Sequence, residues 1–338
     1  MARCAILGLG SVGRALLGLL NEKGMSVAGE KIVIAAAADS KGALISEVGI
    51  DASSVIEAKK GGRMFELQGW KDGATAEYVA EMSDYDILID CMPTNFEDIS
   101  LSLNCCLAAI ERGKHTVTAN KGPLSMQMRK LLKEAECRGA GLMFSATVGG
   151  GTPFLEFGRL CAQMGQVVKI RGVLNGTSNF IITRMSEGVP MGEAIREARE
   201  MGIAESRIVY DTEGLDSAAK LVILANWVMD ADLRLDEVER EGIDRREQEI
   251  MGGAASGRAP RLVASYDCVE CHPSVRLEMI SPLDPLNVSG VLNSVSFIME
   301  EGYEYTLTGG GAGGRSTASA IIRDVERLIG RGRDAKET

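Results

Sequence analysis

The segment from Glu205 to Trp227, ESRIVYDTEGLDSAAKLVILANW, brings four carboxylates (Glu205, Asp211, Glu213 and Asp216) up to one lysine, Lys220, and carries no charge beyond it. With Gly214 as the helix start, Asp216 and Lys220 lie four residues apart, one turn above the other on one face. Ala218, Ala219, Leu221, Val222, Ile223 and Leu224 cover every side of that helix, which is therefore expected to be buried. Desolvation lowers a lysine pKa and a neighbouring carboxylate raises it, so Lys220 is either a poised, oriented proton donor or half of a structural ion pair. A second lysine, Lys121, ends the strand pattern KHTVTANKGPL (114–124). At that end of a strand it can steer phosphates, act on a substrate or help start the next helix.

These side chains need a scaffold, and the N-terminus supplies one. An apolar run (3–8) enters Gly8-Leu9-Gly10-Ser11-Val12-Gly13 and continues as the helical pattern RALLGLLNEKG. Strand, glycine turn and helix in this order read as a dinucleotide-binding unit. Gly8 permits the tight turn, Gly10 lets a pyrophosphate approach the backbone, and Gly13 lets helix pack on strand. The next strand, KIVIAAAADS (31–40), ends in Asp39, an acid suited to a ribose 2′-hydroxyl and so to NAD. Ser40, Lys41, Lys59 and Lys60 follow and are suited to a 2′-phosphate, which leaves NAD and NADP both open. A buried parallel strand is expected within DYDILIDCMPTN (84–95), with its end at the ligand crevice. His115 stands at the opposite end of its strand and reads as structural.

The chain has 338 residues, enough for about two domains. Its 45% hydrophobic and 25% charged content is that of a water-soluble protein, and a net charge of -10 without a basic stripe excludes a nucleic-acid surface. No stretch reaches the ~18 uncharged apolar residues that would span a membrane. The eight cysteines are scattered, as expected of reduced thiols in a cytoplasm. Cys268-Val269-Glu270-Cys271-His272 matches a haem-attachment pattern, but it has no export signal or haem-pocket context and no second ligand pair for zinc. The mixed charges of 232–249 read as a solvated helix and loop.

After a helix at 128–139 and a strand GLMFSA, the run Thr147-Val148-Gly149-Gly150-Gly151-Thr152-Pro153 forms a tight loop near a domain boundary. Strands and helices beyond it do not alternate regularly, which indicates α+β. A second glycine-rich run, 308–314, leads into a last helix. The expected architecture is an α/β Rossmann nucleotide-binding domain (1–143), an α+β substrate-binding and dimerisation domain (144–307), a C-terminal helix returning to the nucleotide domain (308–330), and a disordered tail (331–338).

Taken in order, GLGSVG, TANKGPL, SATVGGGTP, GVLNGTSNF, the D…GLDSAAK segment and GGGAGGRSTAS resemble homoserine dehydrogenase over almost the whole chain. The resemblance implies NAD(P)H-dependent interconversion of aspartate 4-semialdehyde and homoserine, on the way to threonine, methionine and isoleucine, by a cytoplasmic homodimer. It implies Gly8, Gly10, Ser11, Val12 and Gly13 at the phosphate loop and Thr94, Thr118, Asn120 and Gly313 along the cofactor, beside Asp39 and Lys121, with Glu205, Asp216 and Asp211 around the substrate amino group. Lys220 would be the proton donor and Lys121 its partner. Main-chain oxygens of Ser145, Val148, Gly150 and Thr152 would hold a sodium ion. Ser145 stands where glutamate is frequent and Asp284 where histidine is common. The chain stops soon after its last helix, so no regulatory or aspartate kinase domain is expected. Two other readings compete: a semialdehyde dehydrogenase using a cysteine such as Cys91 as nucleophile, and a nucleotide sensor without activity.

Overall fold

A computed structural model describes residues 1–204, 207–252, 257–311 and 313–337, with side chains to residue 330. The chain divides into two compact units, Met1–Thr147 with Gly313–Thr338, and Val148–Ala312.

In the first unit the elements are β1 (Ala2–Leu7), α1 (Ser11–Glu22), β2 (Ser26–Val27), β3 (Glu30–Asp39), β4 (Gly42–Ile45), α2 (Ala52–Lys60), β5 (Trp70–Asp72), α3 (Ala76–Met82), β6 (Ile87–Asp90), α4 (Ser100–Glu111), β7 (His115–Thr118), α5 (Lys121–Cys137) and β8 (Leu142–Met143). The sheet order is β5-β4-β3-β1-β6-β7-β8, with β2 paired to β3. From β3 to β8 neighbouring strands are parallel, while β4, β5 and β2 join antiparallel. Leu7 registers with Ala38 and Asp90, and Asp90 with Thr118, so the exits of four strands share one edge. The chain leaves β1 toward β3 on one side and reaches β6 on the other, and this reversal opens a ligand crevice at that edge.

Alternation along the strands fills both faces. Cys4, Ile6, Ile34, Ile87, Ile89 and Val117 pack with Leu16, Leu17 and Leu20 of α1 and with Ala318, Ile321 and Val325 of the C-terminal helix (Gly314–Glu337). Ala5, Leu7, Ala36 and Leu88 pack with Val79, Tyr85, Cys105 and Ala109 on the other face. Burial on both sides explains why these strands read as continuous apolar runs. The run at 84–95 forms strand only over Ile87–Asp90. The C-terminal helix continues to Glu337, through most of the stretch expected as a tail; its Arg, Ala, Lys and Glu are good helix formers.

The second unit contains α6 (Phe154–Met164), β9 (Val167–Val173), α7 (Gly176–Ser186), α8 (Met191–Glu200), α9 (Val209–Thr212), α10 (Leu215–Met229), β10 (Glu239–Arg240), α11 (Glu247–Gly252), β11 (Ala259–Asp267), β12 (Ser274–Ile280), β13 (Leu292–Met299) and β14 (Glu304–Gly310). Its six-stranded sheet runs β10-β12-β11-β9-β13-β14. All pairs are antiparallel except β10 with β12. Helices α6, α7 and α10 pack on this sheet. Gly158 lets α6 approach closely, since a Cβ there would lie 2.6 Å from Val228 and 2.8 Å from the Phe297 ring. The charged stretch 232–249, expected as a solvated helix and loop, forms two 3-10 turns, β10 and the start of α11.

Candidate active site

Three glycines shape the β1–α1 turn. Gly8 has φ +93°, a left-handed value that favours glycine, and its N–H donates to the Ala38 carbonyl at 3.0 Å. A Cβ at Gly8 would meet the Cys91 carbonyl oxygen at 2.7 Å, and one at Gly13 would meet the Gly8 carbonyl oxygen at 2.0 Å. Gly10 faces open space, with nothing within 4 Å of such an atom. The first turn of α1, which holds Ser11, Val12 and Gly13, has no side-chain cap and no acidic residue. Its N–H groups and the positive end of the helix dipole therefore form a cradle for an anion. The C-terminal helix begins beside it, since a Cβ at Gly314, next to Gly313, would lie 3.0 Å from the Ser11 carbonyl oxygen. Arg315 fixes that placement through a forked pair with Glu22, at 2.8 and 2.6 Å.

Asp39 closes β3. Its carboxylate accepts the Ser40 N–H at 2.6 Å and forms an ion pair with Lys59 of α2. Burial acts to raise its pKa, but Lys59 and Ser40 outweigh that and hold it below the usual carboxylate range. Lys59 thus stands beside the acid expected to read the ribose.

The exits of β6 and β7 hold the next group. Thr118 and Asn120 are buried. Thr118 Oγ1 donates to Asp90 at 3.2 Å and accepts the Asn120 N–H at 3.0 Å. Asn120 caps α5 by accepting the Gly122 N–H at 3.0 Å, and the Lys121 N–H reaches Thr94 Oγ1 at 3.4 Å. Lys121 is therefore the first residue of a capped helix at the crevice edge. Asp90, which the sequence reading did not single out, is 0% exposed. Burial pushes its pKa up to about 6, against the lowering effect of bonds from Ser102, Met92 N–H and Thr118.

In the second unit, α10 places Lys220 as expected. Gly214 caps it with φ +73°, and a Cβ there would strike Val275 at 2.9 Å. Lys220 is 7% exposed. Its Nζ lies 2.6 Å from Asp216 Oδ2 and donates to the Leu174 carbonyl at 2.7 Å. Asn175, just beyond β9, donates through Nδ2 to Asp211 at 2.6 Å and to Asp216 at 2.8 Å. Its Oδ1 caps α7 by accepting the Ser178 N–H at 2.7 Å. Lys220, Asp216, Asp211 and Asn175 therefore form one cluster; Glu205 lies outside the described residues. Asn175 was visible only as part of the motif GVLNGTSNF, and its position between a strand end and a helix start was the available signal.

Ser145 belongs to the first unit, and Val148, Gly150 and Thr152 belong to the second. Ser145 is held by Asp324 of the C-terminal helix, through N at 2.8 Å and Oγ at 2.6 Å. A buried carboxylate thus reaches this position from another element. Thr152 Oγ1 donates to the Gly310 carbonyl at 3.0 Å, and its own carbonyl accepts the Phe154 N–H at 2.9 Å. Among the described residues no group of three or more His, Cys, Asp or Glu side chains is arranged to hold a metal. Asp284 pairs with Arg171 at 3.3 Å and accepts the Leu286 N–H at 2.9 Å, which gives it a structural part in its loop.

The competing cysteine chemistry finds no support. Burial, with Asp90 adding to it, pushes the Cys91 thiol far up, so it stays protonated and a poor nucleophile. His115 accepts the Gly141 N–H at 2.8 Å, in keeping with a structural role. His272 lies on the surface beside Glu239 and Arg276.

A family model described as homoserine dehydrogenase matches residues 153–325, and one described as glutamate/leucine/phenylalanine/valine dehydrogenase matches residues 1–104. The chain is similar to homoserine dehydrogenase of Methanocaldococcus jannaschii, 35% identical over 331 residues covering 95% of this chain and 96% of that protein. It is also similar to an NAD(+)-dependent homoserine dehydrogenase of Pseudomonas canavaninivorans, 32% identical over 343 residues covering 96% of this chain and 95% of that one. Among solved structures, a hyperthermophilic archaeal homoserine dehydrogenase in complex with NADPH superposes with a TM-score of 0.83 at 28% identity, covering 98% of each chain.

Proposed function

Because the chain belongs to the homoserine dehydrogenase family, we propose that it interconverts L-homoserine and L-aspartate 4-semialdehyde with NAD or NADP, using Lys220 as proton donor and acceptor. The observation that carries this reading is the setting of Lys220. An ammonium has three donors, and two of them are directed at Asp216 and the Leu174 carbonyl. The third is the one a substrate oxygen takes.

The fit to a nicotinamide cofactor rests on the open cradle at Gly10 and on the close contacts that exclude a side chain at Gly8 and Gly13. NAD(P), when bound, supplies or accepts the hydride. Lys220 then gives its proton to the oxygen as an alkoxide develops, and removes it in the oxidising direction. Asp216 keeps the ammonium aimed. Asp211 and Asp216, which Asn175 joins beside Lys220, are assigned to the amino group of the substrate, together with Glu205. Lys121 is the second catalytic lysine, and Thr94, Thr118, Asn120 and Gly313 are assigned to the cofactor. Asp39 suits the ribose hydroxyls of NAD, while Lys59 suits the 2′-phosphate of NADP. The proposal extends to a cytoplasmic homodimer built on the second unit and to a sodium ion on main-chain oxygens of Ser145, Val148, Gly150 and Thr152.

The test follows reduced-nicotinamide absorbance with homoserine and, separately, NAD and NADP. Wild type should turn over, and Lys220→Ala should lose ~100-fold or more in kcat while cofactor binding is retained. Full turnover by Lys220→Ala would remove this lysine from the mechanism.

A further inference from the structure

We infer that Asp90 is a positioning residue for the reaction: through Thr118 it sets the turn that presents Lys121. The inference rests on the role proposed above for Lys121.

Asp90 ends β6 with no exposed surface, yet its hydrogen bonds come from neutral donors only. A buried carboxylate without a cation is costly, and an apolar residue would fill the same strand end without that cost. The titratable groups beside it are the thiols Cys91, Cys105 and Cys106, which burial, with Asp90 adding to it, pushes up and so keeps neutral. Stability alone therefore gives no reason for an acid here, whereas its bonds do.

Oδ1 accepts the Met92 N–H at 2.9 Å and orients the exit of its own strand toward Pro93 and Thr94. Oδ2 accepts from Ser102 of α4 and, at 3.2 Å, from Thr118. The Asp90 carbonyl also accepts the Ala119 N–H at 2.9 Å. A threonine hydroxyl has one proton, and here Asp90 takes it. The Thr118 lone pair is thereby turned toward the Asn120 N–H at 3.0 Å. Asn120 then caps α5 and spans back to the Pro93 carbonyl at 3.4 Å, while the Lys121 N–H meets Thr94. Two strand exits that carry four assigned cofactor and catalytic residues are thus joined in a ring, with Asp90 at its base. Removing the acceptor frees Thr118 to rotate and loosens the first turn of α5. Ser102 tethers the same carboxylate to α4, away from that ring, and so provides an internal control.

The experiment compares Asp90→Asn, Thr118→Val and Ser102→Ala with wild type and Lys121→Ala. It measures kcat at saturating homoserine and cofactor, KM for homoserine, and Tm. Asp90→Asn and Thr118→Val should each lower kcat about 10-fold or more, as expected for a misplacement well under 1 Å, with KM for homoserine within about 2-fold. Ser102→Ala should lower Tm but keep kcat. If Asp90→Asn lowers only Tm while Lys121→Ala abolishes turnover, Asp90 is structural and the inference alone falls. Equal kcat losses in Ser102→Ala would likewise overturn it. Should Asp90→Asn fail to fold, Thr118→Val decides the matter by the same kcat criterion. Wild-type turnover by Lys121→Ala would sink the role of Lys121 and this inference with it.

Discussion

Replacing Asn175 tests how the lysine cluster is assembled. The side chain makes three bonds: to Asp211 at 2.6 Å, to Asp216 at 2.8 Å, and from Ser178 N–H at 2.7 Å. Asn175→Ala loses the helix cap, worth about 1 kcal/mol. It also strips a donor from two carboxylates, and bonds to charged groups contribute roughly 1.5–3 kcal/mol each where burial is high. Asp216 is 14% exposed and keeps Lys220, so the lower end applies there. A total loss of about 4 kcal/mol is expected in urea unfolding, with kcat reduced ~10-fold as Asp216 turns away from Lys220. Asn175→Asp separates the two roles. It keeps the cap acceptor but puts a third carboxylate where the donors stood, so stability should recover only in part while kcat stays low. Asn175→Ala within about 0.5 kcal/mol of wild type, with kcat within about 2-fold, would refute the argument that Asn175 holds the cluster together.

Gly13→Ala would place a Cβ 2.0 Å from the Gly8 carbonyl oxygen, so the cradle must open; cofactor Kd by fluorescence titration should rise at least ~10-fold, and an unchanged Kd would be contrary to the geometry. Lys59→Ala should weaken NADP more than NAD, and Asp39→Ala the reverse; equal effects on both cofactors would mean this ion pair does not read the ribose. The pKa of Asp90 is raised from 3.8 to about 6, so its stabilising contribution is complete below pH ~4 and is lost as pH rises through about 6. Wild type should therefore lose about 1–2 kcal/mol relative to Asp90→Asn between pH 5 and pH 8. A pH-independent difference between the two would show that Asp90 is not buried as a carboxylate.

The features legible in the sequence were those set by neighbours along the chain. Gly8, Gly10 and Gly13 follow an apolar strand and open a helix, and their roles come from backbone geometry that a few residues determine. Asp216 and Lys220 share a face because helix periodicity puts positions four apart together, and the apolar residues around them imply burial. Tertiary structure decided the rest. Asn175 meets Asp211 and Asp216 from 36 and 41 residues away, Lys59 meets Asp39 across 20 residues, and Asp324 reaches Ser145 across 179. Asp90 meets Thr118 only because β6 and β7 pair in that register. Such contacts depend on strand order and helix packing, and a polar residue in the linear chain carries no mark of the distant donor that will meet it. The antiparallel strands β4 and β5 escaped notice for a related reason: at four and three residues they are too short for an alternating pattern, and pairing with β3 gives them their form.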